Sequence, residues 1–450
     1  YVILDSGTRE PPLRKRTPTR RQSKPQPIGP VQTFTVDGLT HEAKGVARLQ
    51  GKVTFIGGAL PGETVAAQIT KSGRSFDEAV LTAIIEPSAY RVEPSCQHFN
   101  VCGGCSFQHL ADEKQLSSKA DWLQGQLRNL ITTQELELLS DHSTHYRRRA
   151  RISIDRKKGT LLLGFRGKAS SDIVSIDQCV VLTGNLQKIF SSLKLELSIN
   201  GLADSLGHIE LLEDTKGVSV LFRLTSLISD ELEKTWENWA NKEQISLYWQ
   251  APKASKAEVP SESMRHYDLG ELRLEYHPQD FIQVNAIMNQ KMVAQAMDWL
   301  SPNKQDVILD LFCGVGNFSL PLAQHAQSVI GVEVQESMVE AARKNACLNG
   351  FDNLSFVASD LTQPVANEFM KQKITKILLD PPRAGAFEFL DTIIKIGPKQ
   401  ILYVSCNAST LARDAEYLVA KGYRVLRVGL MDMFPQTSHV ETMMLLQKKK

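Results

Sequence analysis

From Asp280 to the C-terminus, short strand-like apolar runs alternate with segments of helical apolar spacing, and this alternation constrains the fold more than any other feature. The runs are VILDLF, SVIGVEV, LSFVASDL, KILLDPP, QILYVSC, YRVLRVGLM and VETMMLL. The pattern predicts an α/β doubly wound sheet over residues 280–450. The last two runs follow without an obvious helix between them, which predicts an antiparallel edge pair on a mainly parallel sheet. Ligands of such sheets lie beyond the carboxyl ends of the strands, so the strand-end loops are where chemistry is sought.

The first of these loops is Asp310-Leu-Phe-Cys-Gly-Val-Gly-Asn317, a strand entering a glycine turn that opens a helix. Gly314 and Gly316 let the backbone approach a ligand closely. Ser319 stands where a dinucleotide fingerprint needs its third glycine, which disfavours nicotinamide. Glu333 ends the next strand, where a carboxylate accepts hydrogen bonds from ribose hydroxyls, so an adenosine cofactor fits. Asp360 ends the third strand. In Leu378-Leu-Asp380-Pro-Pro-Arg383 two prolines stiffen the backbone behind an aspartate. The fifth strand ends Tyr403-Val-Ser-Cys406-Asn407, and His439-Val-Glu441-Thr442 brings a carboxylate to the same mouth.

The N-terminal half reads differently. Residues 31–88 hold short strands and glycine turns, which predict a small β-barrel. Residues 1–30 carry basic residues among prolines, a composition for a disordered tail. Residues 89–279 are a mixed α+β region with a helix expected from Asp112 to Ile131 and a polar, solvent-facing loop from Pro252 to Arg265; residues 112–141 are expected to pack with the catalytic domain. Net charge is only +2, so basic surface must be local, and Arg147 to Lys158 is a candidate. Of the seven cysteines, Cys96, Cys102, Cys105 and Cys179 offer soft ligands for zinc or an iron–sulfur cluster, with His98 and His109 nearby. Cys313, inside the glycine turn, and Cys347, expected on the apolar face of a helix, read as structural. No apolar run reaches the ~18 residues needed to span a bilayer, and the N-terminus lacks a secretory h-region, so a cytoplasmic protein with no membrane is expected.

The set DLFCGVGNFSLPLA, LLDPPRAGA, YVSCNASTLARD and HVETM, with Phe281-Ile-Gln283-Val-Asn285 ahead of it, resembles the RNA 5-methyluridine methyltransferases. The resemblance implies a Rossmann-like class I methyltransferase domain, with Cys406 as nucleophile, Glu441 as base and Asp380 holding the uracil or the cofactor. It implies S-adenosylmethionine contacts at Gln283, Phe312, Asn317, Glu333, Asp360 and Asp380. It also implies a [4Fe-4S] cluster on Cys96, Cys102, Cys105 and Cys179, and a TRAM domain for the N-terminal barrel.

Within that family, members acting on transfer RNA commonly lack the cluster and the TRAM domain. The three-part architecture is therefore similar to members that methylate a uridine of bacterial 23S ribosomal RNA, with no obligate protein partner. The barrel and the arginine run are expected to supply phosphate contacts. Alternatives are a transfer RNA methyltransferase, a non-catalytic RNA-binding factor, and a radical iron–sulfur enzyme, against which the missing C-x₃-C-x₂-C pattern argues.

Overall fold

A computed structural model describes residues 28–131, 134–157, 159–361 and 372–449. The basic tail read over residues 1–30 falls outside them except for its last three positions. Strands Gln32–Leu39, Lys44–Leu49, Lys52–Gly57, Phe76–Glu86 and Thr64–Ser72 close in that order into a barrel. Alternate side chains point inward, as the period of a strand requires, and Phe34, Val36, Ala47, Ile56, Val65 and Ala67 fill the interior. Glu63, buried at the barrel end, takes the Arg91 guanidinium at 2.5 Å and ties the barrel to the next segment.

The middle of the chain builds a six-stranded sheet in the order Ser246–Gln250, Gly217–Leu224, Leu206–Asp214, Arg149–Lys157, Thr160–Arg166, Ile173–Ser175. Helices Gly184–Ile199 and Asp230–Glu243 contribute Phe190, Leu193, Trp236 and Trp239 to its core.

The third body is an eight-stranded sheet in the order Leu354–Ala358, Ser328–Glu333, Val307–Leu311, Lys376–Leu379, Gln400–Ser405, Glu441–Lys448, Tyr423–Met431, Leu136–Leu139. The five strands from Leu354–Ala358 to Gln400–Ser405 are parallel neighbours, so the expected α/β sheet is present. The final two strands pair antiparallel as expected, but they are not the edge of the sheet. Glu441–Lys448 inserts antiparallel between its neighbours, and Tyr423–Met431 is covered by Leu136–Leu139, a strand from far upstream. Hydrogen-bonding groups left bare at a sheet edge invite another strand, and this chain supplies one itself.

The upstream helix ends at Leu127, short of the expected Ile131. Leu123 and Leu127 enter the core beside Ala408, Leu411 and Ala415 of helix Ala408–Ala420. Its buried Lys119 donates to Asp432 at 2.7 Å and to the Phe434 carbonyl at 3.1 Å, while Gln115 and Gln436 bond each other. These contacts hold residues 432–440, the segment that leads into Glu441.

Candidate active site

The aligned parallel register brings the strand ends together. Leu311 pairs with both Val332 and Leu379, so Phe312, Glu333 and Asp380 follow at one level, and the Asp380 N–H donates to the Leu311 carbonyl at 3.2 Å. Phe312 takes φ +64°, a conformation that costs a bulky residue energy and persists only where surroundings impose it. Gly316 has φ +99°, and a Cβ there would lie 2.4 Å from the Leu320 Cδ1. Only glycine lets this turn close onto helix Ser319–His325.

The Glu333 carboxylate accepts from the N–H groups of Gly314, Val334 and Gln335 at 3.2, 3.0 and 3.1 Å, which fixes it against the turn. Below the turn Asp310 is fully buried; burial pushes its carboxyl up to about 7, while the Ser319 hydroxyl bonds Oδ2. The Asn317 Oδ1 accepts from the Tyr267 hydroxyl and the Asn289 amide, both at 2.9 Å. Tyr267 carries the Arg148 guanidinium over its ring at 5.0 Å, and the Arg148 Nε donates to the Gln283 carbonyl at 2.8 Å. Gln283 is thus linked to the turn through Arg148, read from sequence as part of a basic surface, and Tyr267, which sequence reading did not single out. Asp360 is exposed just past strand Leu354–Ala358.

Ser405 pairs with Thr442 across the antiparallel ladder, so the next residues outward, Cys406 and Glu441, are neighbours. Asn407 then caps helix Ala408–Ala420, its side chain accepting from the Ser409 N–H at 3.1 Å. Burial raises the Cys406 thiol above its ordinary range, the carboxylates of Glu441 and Asp380 raise it further, and the Arg383 guanidinium opposes them. Burial pushes Glu441 up to about 8, with Asp380 adding to the effect and Arg383 opposing it. Asp380 is itself pushed up to about 7 by burial. Arg383, exposed at the rim, donates to the His439 Nδ1 at 3.1 Å. Its position directly after the Asp-Pro-Pro run was the available sequence signal for it.

Cys96, Cys102, Cys105 and Cys179 all have free thiols and line one cavity of about 110 Å³, with Phe99, Phe165 and Ile176 among its apolar walls. Burial raises Cys105 to about 12, and the other three cysteines add to the shift. Among the described residues no group of three or more His, Cys, Asp or Glu side chains could hold a metal ion as it stands. The His98 Nε2 accepts from the Asp177 N–H at 3.2 Å, whereas burial pulls His109 down to about 4.

The arginine run is less available than its sequence suggests. Arg148 is buried, Arg149 pairs with Glu210 at 2.8 Å, Arg156 with Asp204 at 2.9 Å, and Arg151 donates to His208 at 2.7 Å. Arg265, at the end of the loop read as solvent-facing, is fully buried against Asp214. Cys313 is buried as expected, but Cys347 is exposed, because the helix Glu336–Leu348 turns Ala342, Asn345 and Ala346 inward instead.

A doubly wound sheet with a glycine turn and a carboxylate on the adjacent strand is the arrangement that suits an adenosine cofactor, and here a cysteine stands at the same mouth. Comparison with known proteins supplies the class. The family described as tRNA (uracil-5-)-methyltransferase matches residues 111–449, and the TRAM domain matches residues 25–82. The chain is 80% identical over 440 residues to the 23S rRNA (uracil(1939)-C(5))-methyltransferase RlmD of a Marinomonas species, covering 97% of this chain and 100% of the relative. The protein of that name from Shewanella halifaxensis is 42% identical, covering 93% and 96%. The crystal structure of Pyrococcus abyssi tRNA (uracil-54, C5)-methyltransferase with S-adenosyl-L-homocysteine has the same fold, with TM-score 0.73, 23% identity, and 92% and 100% of the two chains covered. The chain belongs to the uracil-5-methyltransferase family and carries an N-terminal TRAM domain.

Proposed function

We propose that this protein methylates carbon 5 of a uridine in 23S ribosomal RNA through a covalent adduct on Cys406. The convergence of Cys406, Glu441 and Asp380 at adjoining strand ends carries the reading, and the names of the highly similar relatives support the substrate. Carbon 5 of uracil is a poor nucleophile. Addition of the Cys406 thiolate to carbon 6 forms a C–S bond and shifts the ring electrons to an enolate, which makes carbon 5 nucleophilic. S-adenosylmethionine supplies an electrophilic methyl group on its sulfonium. Carbon 5 would bond that methyl as the methyl–sulfur bond breaks and S-adenosylhomocysteine leaves; Glu441 then accepts the proton from carbon 5, and the released electron pair re-forms the ring double bond as the Cys406 thiolate leaves. A placed base of this kind contributes roughly 10²- to 10⁴-fold.

The backbone cradle at Gly314 and Gly316 and the fixed Glu333 carboxylate suit an adenosine cofactor. Phe312, Asn317, Gln283, Asp360 and Asp380 would complete its contacts, Asp380 facing the uracil side as well. Four cysteines lining one cavity are of the donor type that a [4Fe-4S] cluster takes, and Cys96, Cys102, Cys105 and Cys179 would hold it. No step of the transfer uses an electron, so the cluster's role would be structural or in RNA contact. Residues 1–30 would be a basic tail, 31–88 the barrel, 89–279 the cluster domain and 280–450 the catalytic domain. The site of action would be the cytoplasm, and no helix among the described residues is long and apolar enough to cross a membrane.

Labelled methyl transfer to unmodified 23S ribosomal RNA and, in parallel, to unmodified transfer RNA tests this function. Label in 5-methyluridine of the ribosomal RNA alone is expected. Label in transfer RNA would overturn the substrate, and label in neither would overturn the activity.

A further inference from the structure

The mouth in front of Cys406 is built from three parts of the chain. It is a cavity of about 330 Å³ whose lining includes Cys406, Arg383 and His439 from the catalytic domain, Trp122 from the upstream helix, and His41 from the barrel. The His41 ring lies on the Trp122 indole with centroids 4.9 Å apart and planes 22° from parallel. Trp122 is half-buried and His41 exposed, so the stack is backed by the indole and open to solvent at its His41 end.

Both rings are held by their surroundings. His41 sits in the turn between the first two barrel strands, where the Ala43 N–H donates to the Thr40 carbonyl at 3.0 Å and the Lys44 N–H to the Thr40 hydroxyl at 3.0 Å. Ala43, with φ +61°, is buried against Leu60, Phe107 and Leu110 and anchors the turn to the segment that enters helix Asp112–Leu127. On that helix, one turn past Trp122, Gln126 accepts from the Ser409 hydroxyl at 3.2 Å, and this fixes Trp122 next to Asn407 and Ala408. Glu42 in the same turn is paired with Lys44 at 3.1 Å, which offsets a charge that would repel phosphate.

A uracil can reach a buried-side thiol only by leaving its stack, and the nucleotides beside it then lose a stacking partner. Proteins that bind unstacked RNA replace that partner with an aromatic ring. We propose that His41 and Trp122 together form a stacking platform for the base of a nucleotide adjacent to the target uracil. The proposal rests on the methylation reading for what enters the cavity, and it gives the barrel a direct part in selecting the substrate.

The test uses the full-length protein and a fragment of unmodified 23S ribosomal RNA carrying the uridine that the relatives' names designate. Binding is measured for the intact fragment and for fragments with an abasic site at either neighbour of that uridine. His41→Ala and Trp122→Ala are expected to weaken binding of intact RNA roughly ten-fold, and His41→Phe to restore it. One abasic neighbour should weaken binding by the parent protein to a similar degree and have little further effect on His41→Ala. Normal binding by His41→Ala, or losses that multiply at both abasic positions, overturns the platform. Because His41 is exposed, that variant keeps the test valid if Trp122→Ala fails to fold. Methyl transfer by the parent is scored separately: transfer without the coupling overturns the platform alone, and coupling without transfer supports the platform while overturning the methylation reading.

Discussion

Ser405 stands opposite Thr442 in the antiparallel ladder, and that single register point sets Cys406 beside Glu441 at the carboxyl end of the sheet. In a parallel arrangement the residue after Ser405 would lie beside the residue after Thr442, and Glu441 would fall beside Val404, one residue deeper in the sheet. Insertion of Glu441–Lys448 in the opposite direction to its neighbour is therefore what joins the two groups.

The electrostatics of this pair predict a pH profile. Burial places Glu441 at about 8 and lifts the Cys406 thiol, and both groups must lose a proton to act. Because both values are raised, kcat/KM for RNA should climb as pH increases from 7 to beyond 8. Asp380→Asn removes a carboxylate that raises both, so the acidic limb should move to lower pH even as the maximal rate falls. A limb at the same pH in that variant would contradict the assignment.

The glycine turn should tolerate no side chain at position 316. Gly316→Ala places a Cβ against Leu320 in a left-handed conformation that alone costs about 1–2 kcal/mol. Calorimetric titration should show S-adenosylmethionine binding weakened at least ten-fold. Gly350→Ala, also at positive φ but with open space around it, should bind the cofactor normally.

Lys119 and Asp432 form a buried pair that fastens the upstream helix to the segment before Glu441. Lys119→Met leaves Asp432 buried without its partner, and breaking such a pair typically costs about 3–5 kcal/mol. Chemical denaturation should show that loss, and the double variant Lys119→Met, Asp432→Leu should recover most of it.

The cysteine cavity makes a separate prediction. Protein purified without oxygen should carry iron and labile sulfide, and serine at any one of Cys96, Cys102, Cys105 or Cys179 should remove most of both. Cys347→Ser, at an exposed thiol outside the cavity, should leave the iron content unchanged. Zinc alone in the anaerobic protein would contradict the cluster.

The catalytic sheet was readable because each strand is a local apolar run that ends in its own polar motif; position put Asp380, Cys406 and Glu441 at strand ends, and the resemblance supplied their roles. What stayed hidden depends on contacts between distant segments. Leu136–Leu139 pairs with Tyr423–Met431 across most of the chain, and no local pattern distinguishes such a strand from one in the neighbouring sheet. The arginines after His145 read as a basic face because their partners Glu210, Asp204 and His208 lie on other elements. His41 and Trp122 carry no motif, and only the docking of the barrel turn brings them to the Cys406 mouth.

The most direct test of the covalent route is the Glu441→Gln variant incubated with S-adenosylmethionine and unmodified 23S ribosomal RNA, then denatured and examined by gel and mass spectrometry. Without the base, methylated uracil keeps its carbon 5 proton and cannot expel the thiolate. A denaturation-stable protein–RNA adduct carrying one added methyl and attached at Cys406, lost in the Cys406→Ala, Glu441→Gln double variant, is the expected result. Full turnover by Glu441→Gln, or an adduct that survives Cys406→Ala, would contradict the account.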